Sequence, residues 1–208
     1  MSLDLRTEQP VWAINHPSIP RHRKLANDIR CQVLVVGGGV SGALIAHKLT
    51  DLGMKVTIID SREIGAGSTM ASTAILSYEA DVNLIELIRK IGEHSAVRAY
   101  RAGIEAIDSI GETVKALDSS CDFRRRESLY LASGRKDSQM MRRECKATQR
   151  HKFNVELLDR RALRTEFSLD APRAILSHDA AEVNPRKLTL ALVRSAQRKG
   201  LRFFLIRG

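Results

Sequence analysis

Three glycines near the start of the chain have the spacing needed to bring backbone close to a diphosphate. An apolar run, Val33 to Val36, leads directly into the pattern Gly37-x-Gly39-x-x-Gly42. The first glycine permits a tight turn, the second leaves room for a pyrophosphate, and the third lets the following helix lie close to the strand. The free N–H groups and the positive dipole end of a helix that begins near Ser41 then face the anion. The pattern predicts a dinucleotide-binding turn, and the alternative is a glycine turn that serves packing alone.

A carboxylate follows at the end of the next apolar run, residues 55–60 (KVTIID). Asp60 can accept hydrogen bonds from both hydroxyls of an adenosine ribose, whereas a 2'-phosphate would meet like charge. The acid therefore argues against NADP and leaves NAD and FAD open. The alternatives are a surface cap for Asp60 and a solvated charge for its neighbour Arg62.

A stretch rich in small residues and hydroxyls comes next, at positions 65–74 (GAGSTMASTA). Its backbone can pass beneath a bulky cofactor while side-chain hydroxyls donate to phosphate or ring oxygens. The candidate donors are Ser68, Thr69, Ser72 and Thr73. The alternative is a surface loop without a ligand.

The elements that must position these residues form a strand, helix, strand unit. The helix is predicted over residues 41–52, between the two apolar runs. Beyond it the pattern predicts a long amphipathic helix over 97–117, a basic helix over 137–149, and strands at 128–132 and 174–177. Asn184 and Pro185 are typical of the start of a further helix, and residues 201–206 (LRFFLI) predict a last strand that no turn or helix covers. The predicted fold class is α/β, with a parallel sheet and flanking helices.

The segments VLVVGGGVSG and IIDSREIGAGSTMASTAIL resemble the amino-terminal half of FAD-dependent oxidoreductases of the D-amino-acid oxidase, glycine oxidase and sarcosine oxidase superfamily. The likeness continues in RRRESLYLAS at 124–133, ELLDRRALRTEF at 156–167 and AILSHDAAEVNPRKLTLALVRSAQRKGLRF at 174–203. It spans nearly the whole chain after residue 30. Specificity is high for the first two segments and moderate for the later three.

The resemblance implies FAD in the glycine turn and a substrate domain inserted after the small-residue loop. It implies an irregular arm over 1–30, an FAD-binding Rossmann-like unit over 31–82, a partial α+β substrate domain over 83–182, and an incomplete return to the FAD domain over 183–208. The reaction class that the resemblance implies is hydride removal from the carbon beside an amine, from a small amine or amino-acid substrate. The candidate cofactor contacts are Gly37, Gly38, Gly39, Val40, Ser41, Gly42, Asp60, Ser61, Arg62, Gly67, Ser68, Thr69, Ser72 and Thr73.

The chain departs from this superfamily in two ways. Some relatives attach the flavin through a histidine in or near the small-residue loop, but residues 65–80 contain none, so non-covalent FAD is expected. Members are also considerably longer, and the missing part carries much of the substrate pocket, so the chain is expected to be truncated.

No catalytic residue is predicted. The alternative function is a catalytically silent nucleotide-binding fragment that needs a missing carboxyl-terminal half or a partner chain.

The amino-acid composition limits which other classes of protein the chain can belong to. The longest nearly uncharged apolar stretch is shorter than the roughly 20 residues of a membrane helix, and the first residues lack a signal-peptide pattern, so a cytoplasmic protein without a membrane span is expected. Three scattered cysteines suggest neither disulfides nor a metal site.

Most of the net charge of +10 lies after residue 104, and the basic residues are densest at 124–126 and 142–152. An anionic-surface or nucleic-acid binder is therefore a third hypothesis, weakened because no aromatic residues are interleaved to stack bases.

Overall fold

The computed structural model describes residues 10–13, 23–79 and 82–206. Its strands are β1 Val33–Val36, β2 Val56–Asp60, β3 Ile75–Leu76, β4 Arg124–Leu131, β5 Val155–Asp159, β6 Arg173–Glu182 and β7 Arg202–Leu205. Its α-helices are α1 Val40–Asp51, α2 Leu84–Ile91, α3 Glu93–Ala116, α4 Arg135–Arg150, α5 Arg160–Phe167 and α6 Pro185–Arg198. Short 3-10 turns occupy Val11–Ala13 and Ser68–Ala71. The mixed α/β class predicted from the sequence is confirmed.

The chain divides into two compact units. The first contains Met1–Ala74, Thr113–Phe123 and Val183–Gly208, and the second contains Ile75–Glu112 and Arg124–Glu182. The chain enters the second unit at Ile75, earlier than the expected residue 83, because β3 already pairs antiparallel with β6. Much of the predicted arm, residues 1–30, lies outside the described residues.

A three-stranded parallel sheet in the order β1-β2-β7 forms the first unit. The apolar runs that predict β1 and β2 pair in register, with Val36 opposite Ile59. Helices α1 and α6 pack together, and Ala43, Ala46 and Leu192 have no exposed surface. Asn184 caps α6 by accepting from the Lys187 N–H, with Pro185 in the first turn, as its sequence predicts.

The edges of this sheet differ from the sequence-based expectation. The predicted uncovered strand β7 is covered, because residues 23–25 lie beside it and exchange backbone hydrogen bonds with Leu205 at 2.9 and 3.0 Å. Phe203 is only 5% exposed. The apolar side chains left in solvent belong instead to the other edge strand, β1, where Leu34 is 51% and Val36 75% exposed.

The second unit is built on antiparallel strands around β6, which pairs with β3, β4 and β5. Its strand β6 extends well beyond the predicted residues 174–177. The extension was missed because residues 178–182 (HDAAE) lack an apolar alternation. Pairing with neighbouring strands, rather than local propensity, keeps this segment extended.

His178 lies in that extension and joins three strands through its side chain. Its Nδ1 is 2.6 Å from Glu127 on β4 and its Nε2 is 3.2 Å from Glu156 on β5. Burial lowers the pKa of His178, but hydrogen bonds and charge from Glu127, and then from Glu156, outweigh it and hold the pKa above its ordinary value. Each ring nitrogen faces a carboxylate, so both act as donors when the ring is protonated.

We expect the contribution of His178 to stability to fall as pH rises. A group whose pKa is raised in the folded state stabilises fully below its ordinary pKa and loses that contribution as the pH rises through the folded pKa. The difference in free energy of unfolding between the wild type and H178Q should therefore shrink on going from mildly acidic to mildly alkaline pH. Urea unfolding across that range measures it, and a difference that grows with pH would refute the assignment.

The cluster Arg124–Arg126, one basis of the anionic-surface hypothesis, lies on β4 and is largely paired. Arg125 contacts Asp108, and Arg126 donates to Glu182 at 2.7 Å. These pairs reduce the positive field that would attract a nucleic acid. Among the helices that the structure describes, none has the length and apolar character needed to cross a membrane.

Candidate functional site

The glycine turn joins the carboxyl end of β1 to the first turn of α1. Gly37 has φ +110°, a conformation that favours glycine, and its N–H donates to Ile59 O at 2.8 Å. Gly39 precedes α1 in extended conformation and offers no side-chain cap. The turn thus presents backbone, rather than side chains, at the start of α1.

The close approach of α1 to β1 depends on Gly42. A Cβ there would lie 2.0 Å from the Gly37 carbonyl oxygen and 3.3 Å from a Val35 methyl group. Gly38 is similarly confined, since a Cβ would lie 2.8 Å from the ring of Phe203. Phe203 is a contributor to the site that sequence reasoning missed, because it lies far along the chain on β7.

Asp60 ties the second strand to the turn. One carboxylate oxygen accepts from the Gly38 N–H at 2.7 Å and the other from the Arg62 N–H at 2.9 Å. An ionised carboxylate has about four acceptor positions, so two remain for ribose hydroxyls. The residue therefore combines a structural role in the turn with spare acceptor capacity at the place where the sequence predicts ribose binding.

Thr69 brings the small-residue loop against the same turn. Its side chain is 6% exposed, and its hydroxyl oxygen accepts from the Val40 N–H at 3.0 Å. A Cβ at Gly39 would lie 3.1 Å from that oxygen. A second link joins the loop and the turn, from Gly65 N–H to Gly38 O at 2.9 Å.

Trp12 holds the far part of the loop. Its indole N–H donates to Ser72 O at 2.9 Å, and Arg186 on α6 donates to Trp12 O at 3.3 Å. The Ser72 hydroxyl accepts from the Ala74 N–H at 3.1 Å. Trp12 is the single tryptophan of the chain, but its position in the sequence does not reveal this partner.

The remaining predicted contacts are exposed or lie at the loop surface. Ser41, Ser61, Arg62, Ser68 and Thr73 are exposed. The Arg62 guanidinium packs on the loop, since a Cβ at Gly67 would lie 2.9 Å from one of its nitrogens. The structure therefore brings the turn, Asp60 and Thr69 together, and it leaves several predicted hydroxyls available at the surface.

Replacing Thr69 with valine should destabilise the first unit by about 1–2 kcal/mol, because the Val40 N–H loses its acceptor in a partly buried position. Thr73→Val, at an exposed position on the same loop, is the matched control and should change stability by less than about 0.5 kcal/mol. Urea unfolding of both variants measures the difference. Equal effects of the two substitutions would show that the Thr69 bond contributes nothing.

These residues fit an ADP-containing cofactor. The backbone of the turn and the start of α1, where Gly39 provides no side-chain cap, suit a diphosphate, and Asp60 retains acceptor positions for a ribose. At Gly39 a side chain would crowd the Thr69 hydroxyl, at 3.1 Å from a Cβ, so glycine is required there for packing as well as for the approach of a ligand. The geometry alone does not choose between NAD and FAD.

Comparison with known protein families favours FAD over NAD, because the family that matches this chain uses FAD. A family model described as FAD dependent oxidoreductase matches residues 32–205. Gamma-glutamylputrescine oxidoreductase of Escherichia coli (strain K12) is 28% identical over 184 residues, which cover 86% of this chain and 42% of that protein. The chain spans about two fifths of the length of the curated relatives it matches.

Solved structures share the fold over most of the chain. L-amino acid deaminase from Proteus vulgaris superimposes with a TM-score of 0.69 at 15% identity, covering 90% of this chain and 42% of that one. Glycine oxidase from Bacillus cereus ATCC 14579 gives a TM-score of 0.62 at 20% identity, with 85% and 46% covered. At these identities the likeness establishes the fold.

Proposed function

Since this chain belongs to the family of FAD-dependent oxidoreductases, we propose that its first unit binds the ADP half of FAD and that it serves an oxidoreductase acting on an amine or amino acid. The observation that carries the proposal is the joint placement of Gly39, Asp60 and Thr69 around one turn. The names of the relatives support the substrate class, since they include an L-amino acid deaminase, a glycine oxidase and a gamma-glutamylputrescine oxidoreductase.

Each part of the turn has a separate role in this proposal. The backbone of Gly39, Ser41 and Gly42 at the start of α1 binds the diphosphate, and Asp60 accepts from the ribose hydroxyls. Thr69 orients the small-residue loop, whose exposed Ser68 and Thr73 hydroxyls donate to the cofactor. FAD held there would supply a hydride acceptor for oxidation of the substrate carbon beside nitrogen. No histidine occurs over residues 65–80, which supports non-covalent binding.

Anaerobic mixing tests the oxidoreductase function. The chain is loaded with FAD and mixed, without oxygen, with a panel of amines and of D- and L-amino acids. Loss of the visible flavin absorption with at least one substrate is expected, and free FAD under the same conditions is the control. If every substrate leaves the absorption unchanged, this chain does not catalyse the oxidation by itself.

A second candidate is a nucleotide-binding unit that acts only with further polypeptide. It is favoured by the exposed apolar edge of β1, formed by Leu34 and Val36. In doubly wound sheets the strand in this position commonly has neighbours on both sides. We propose that a strand from elsewhere in a longer protein, or from a partner chain, pairs there. Full FAD binding without reduction by any substrate, together with self-association that V36K abolishes, would favour this candidate.

A further inference from the structure

Helix α4 of the second unit carries a strip of cationic side chains along its solvent face. The residues of this basic strip are exposed and recur at steps of three and four, as Lys136, Gln139, Arg143, Lys146 and Arg150. From the first to the last, the strip is about 21 Å long, at a rise of about 1.5 Å per residue. It is long enough to lie against one segment of another polypeptide.

The charges of the basic strip have no carboxylate partners among the described residues. The two acids of α4 are engaged elsewhere, since Asp137 accepts from the Ser133 N–H at 3.1 Å and Glu144 accepts from the Ile85 N–H at 3.1 Å. Arginines on β4, α5 and α6, by contrast, have carboxylate partners at 2.7–2.8 Å. The positive charge that stays uncompensated is therefore concentrated on α4.

The basic strip does not stabilise α4 itself. Lys146 and Arg150 stand four residues apart, a spacing at which like charges repel one another on a helix. Lys136 lies in the first turn, at the positive end of the helix dipole, where a cation is unfavourable. The helix gains no stability from these charges, so a role in recognition accounts for them better than a role in folding.

A groove of about 350 Å³ adjoins the basic strip, between α4 and α2 of the same unit. Three cations line it, Arg89 from α2 and Lys136 and Arg143 from α4. Glu86, the one acid in the described lining, is already paired with Lys90 at 2.9 Å. The groove therefore attracts negatively charged groups.

Apolar surface lies in the same groove. Ile85 is 40% exposed, and Met140 is a partly buried residue that packs on the core beneath α4. A solvated helix face needs no adjoining apolar surface, whereas a peptide that docks between helices places apolar anchors in a groove and charged groups along its rim. The combination matches a segment that carries both carboxylates and an apolar side chain.

We propose that the groove and the basic strip bind an acidic, amphipathic segment of a partner protein. Its carboxylates pair with Arg89, Lys136 and Arg143, and its apolar anchor packs on Ile85 and Met140. Single-stranded nucleic acid fits less well, because no aromatic side chain in the described lining can stack on a base. A bilayer fits less well, because the apolar side of α4 is packed against β5 and β6 and cannot insert.

Fluorescence anisotropy of the 208-residue chain, without FAD, tests the proposal. The probe is a labelled twelve-residue helical peptide with a leucine stripe flanked by glutamates. It should bind saturably, one to one, and at least tenfold more tightly than the same peptide with glutamine in place of glutamate. Serine in place of leucine should weaken binding at least threefold, because the apolar contact in the groove is lost. Duplex DNA and phosphatidylserine vesicles should bind more weakly than the probe.

A matched pair of variants separates the groove from the net charge of the chain. K136E/R143E reverses two charges of the groove and should weaken binding of the probe at least tenfold. R160E/R164E reverses two exposed charges on α5, so it changes the net charge equally, and it should weaken binding less than threefold. Circular dichroism checks that both variants are folded.

Several results would overturn the proposal: equal binding of the glutamate and glutamine peptides, equal losses in the two folded variants, or tighter binding of the DNA or the vesicles. The peptide comparison uses the wild type and needs no variant. Because FAD is omitted, failure here leaves the proposed flavin function untouched, and failure to bind FAD leaves this docking surface untouched.

Discussion

Gly42→Ala is expected to abolish FAD binding and to lower the free energy of unfolding by about 3 kcal/mol or more. The added methyl group would lie 2.0 Å from the backbone oxygen of Gly37, where no rotamer change relieves the overlap. Helix α1 must then move away from β1, and the turn that would hold the diphosphate must change shape. A loss of affinity of at least about 100-fold corresponds to about 2.7 kcal/mol.

Calorimetric titration with FAD and urea unfolding measure the two effects of this substitution. Gly134→Ala is the control, because a Cβ there meets nothing within 4 Å and its φ of −168° is ordinary extended backbone. It should cost less than about 1 kcal/mol and leave FAD affinity unchanged. If G42A binds FAD as the wild type does, the close approach of α1 to β1 has no role in cofactor binding.

The largest expected effect in the second unit comes from Glu144→Ala. The Glu144 side chain is 4% exposed, and its two oxygens accept from the Leu84 N–H at 2.5 Å and the Ile85 N–H at 3.1 Å. Alanine leaves both donors at the start of α2 without an acceptor. We expect a loss of about 3 kcal/mol, since each unpaired buried donor costs about 1–3 kcal/mol.

Hydrogen exchange locates this effect. Amides of α2 should exchange faster in E144A, whereas those of α1 in the first unit should change little. Glu166→Ala removes an exposed carboxylate of α5 and should alter stability by less than about 0.5 kcal/mol. Similar losses in E144A and E166A would mean that the capping of α2 by Glu144 contributes no stability.

The parts of the structure that sequence predicts are those whose partners are close along the chain. Gly37, Gly39 and Gly42 lie within one turn and helix start, and Asp60 ends the next strand, so spacing alone places them together. Asn184 and Pro185 specify a helix start for the same local reason. The small-residue loop could be identified by composition, but its attachment through Thr69 to the Val40 N–H could not.

The parts of the structure that the sequence does not predict depend on contacts between residues far apart along the chain. Ser177 reaches Glu79 across 98 positions because β3 and β4 flank β6. The carboxyl-terminal half of β6 has no apolar alternation, so its extended conformation comes from its neighbours. Coverage of β7 by residues 23–25 was unpredictable for a similar reason, since a short irregular segment carries no strand signal.

Competition binding tests the central claim most directly. The claim is that the first unit of this chain binds FAD through its ADP half. Equilibrium dialysis of the purified chain should give one FAD per chain, displaced by ADP and not by FMN, which lacks the adenosine. A chain that takes up no FAD, or one from which FMN displaces FAD as well as ADP does, would contradict it.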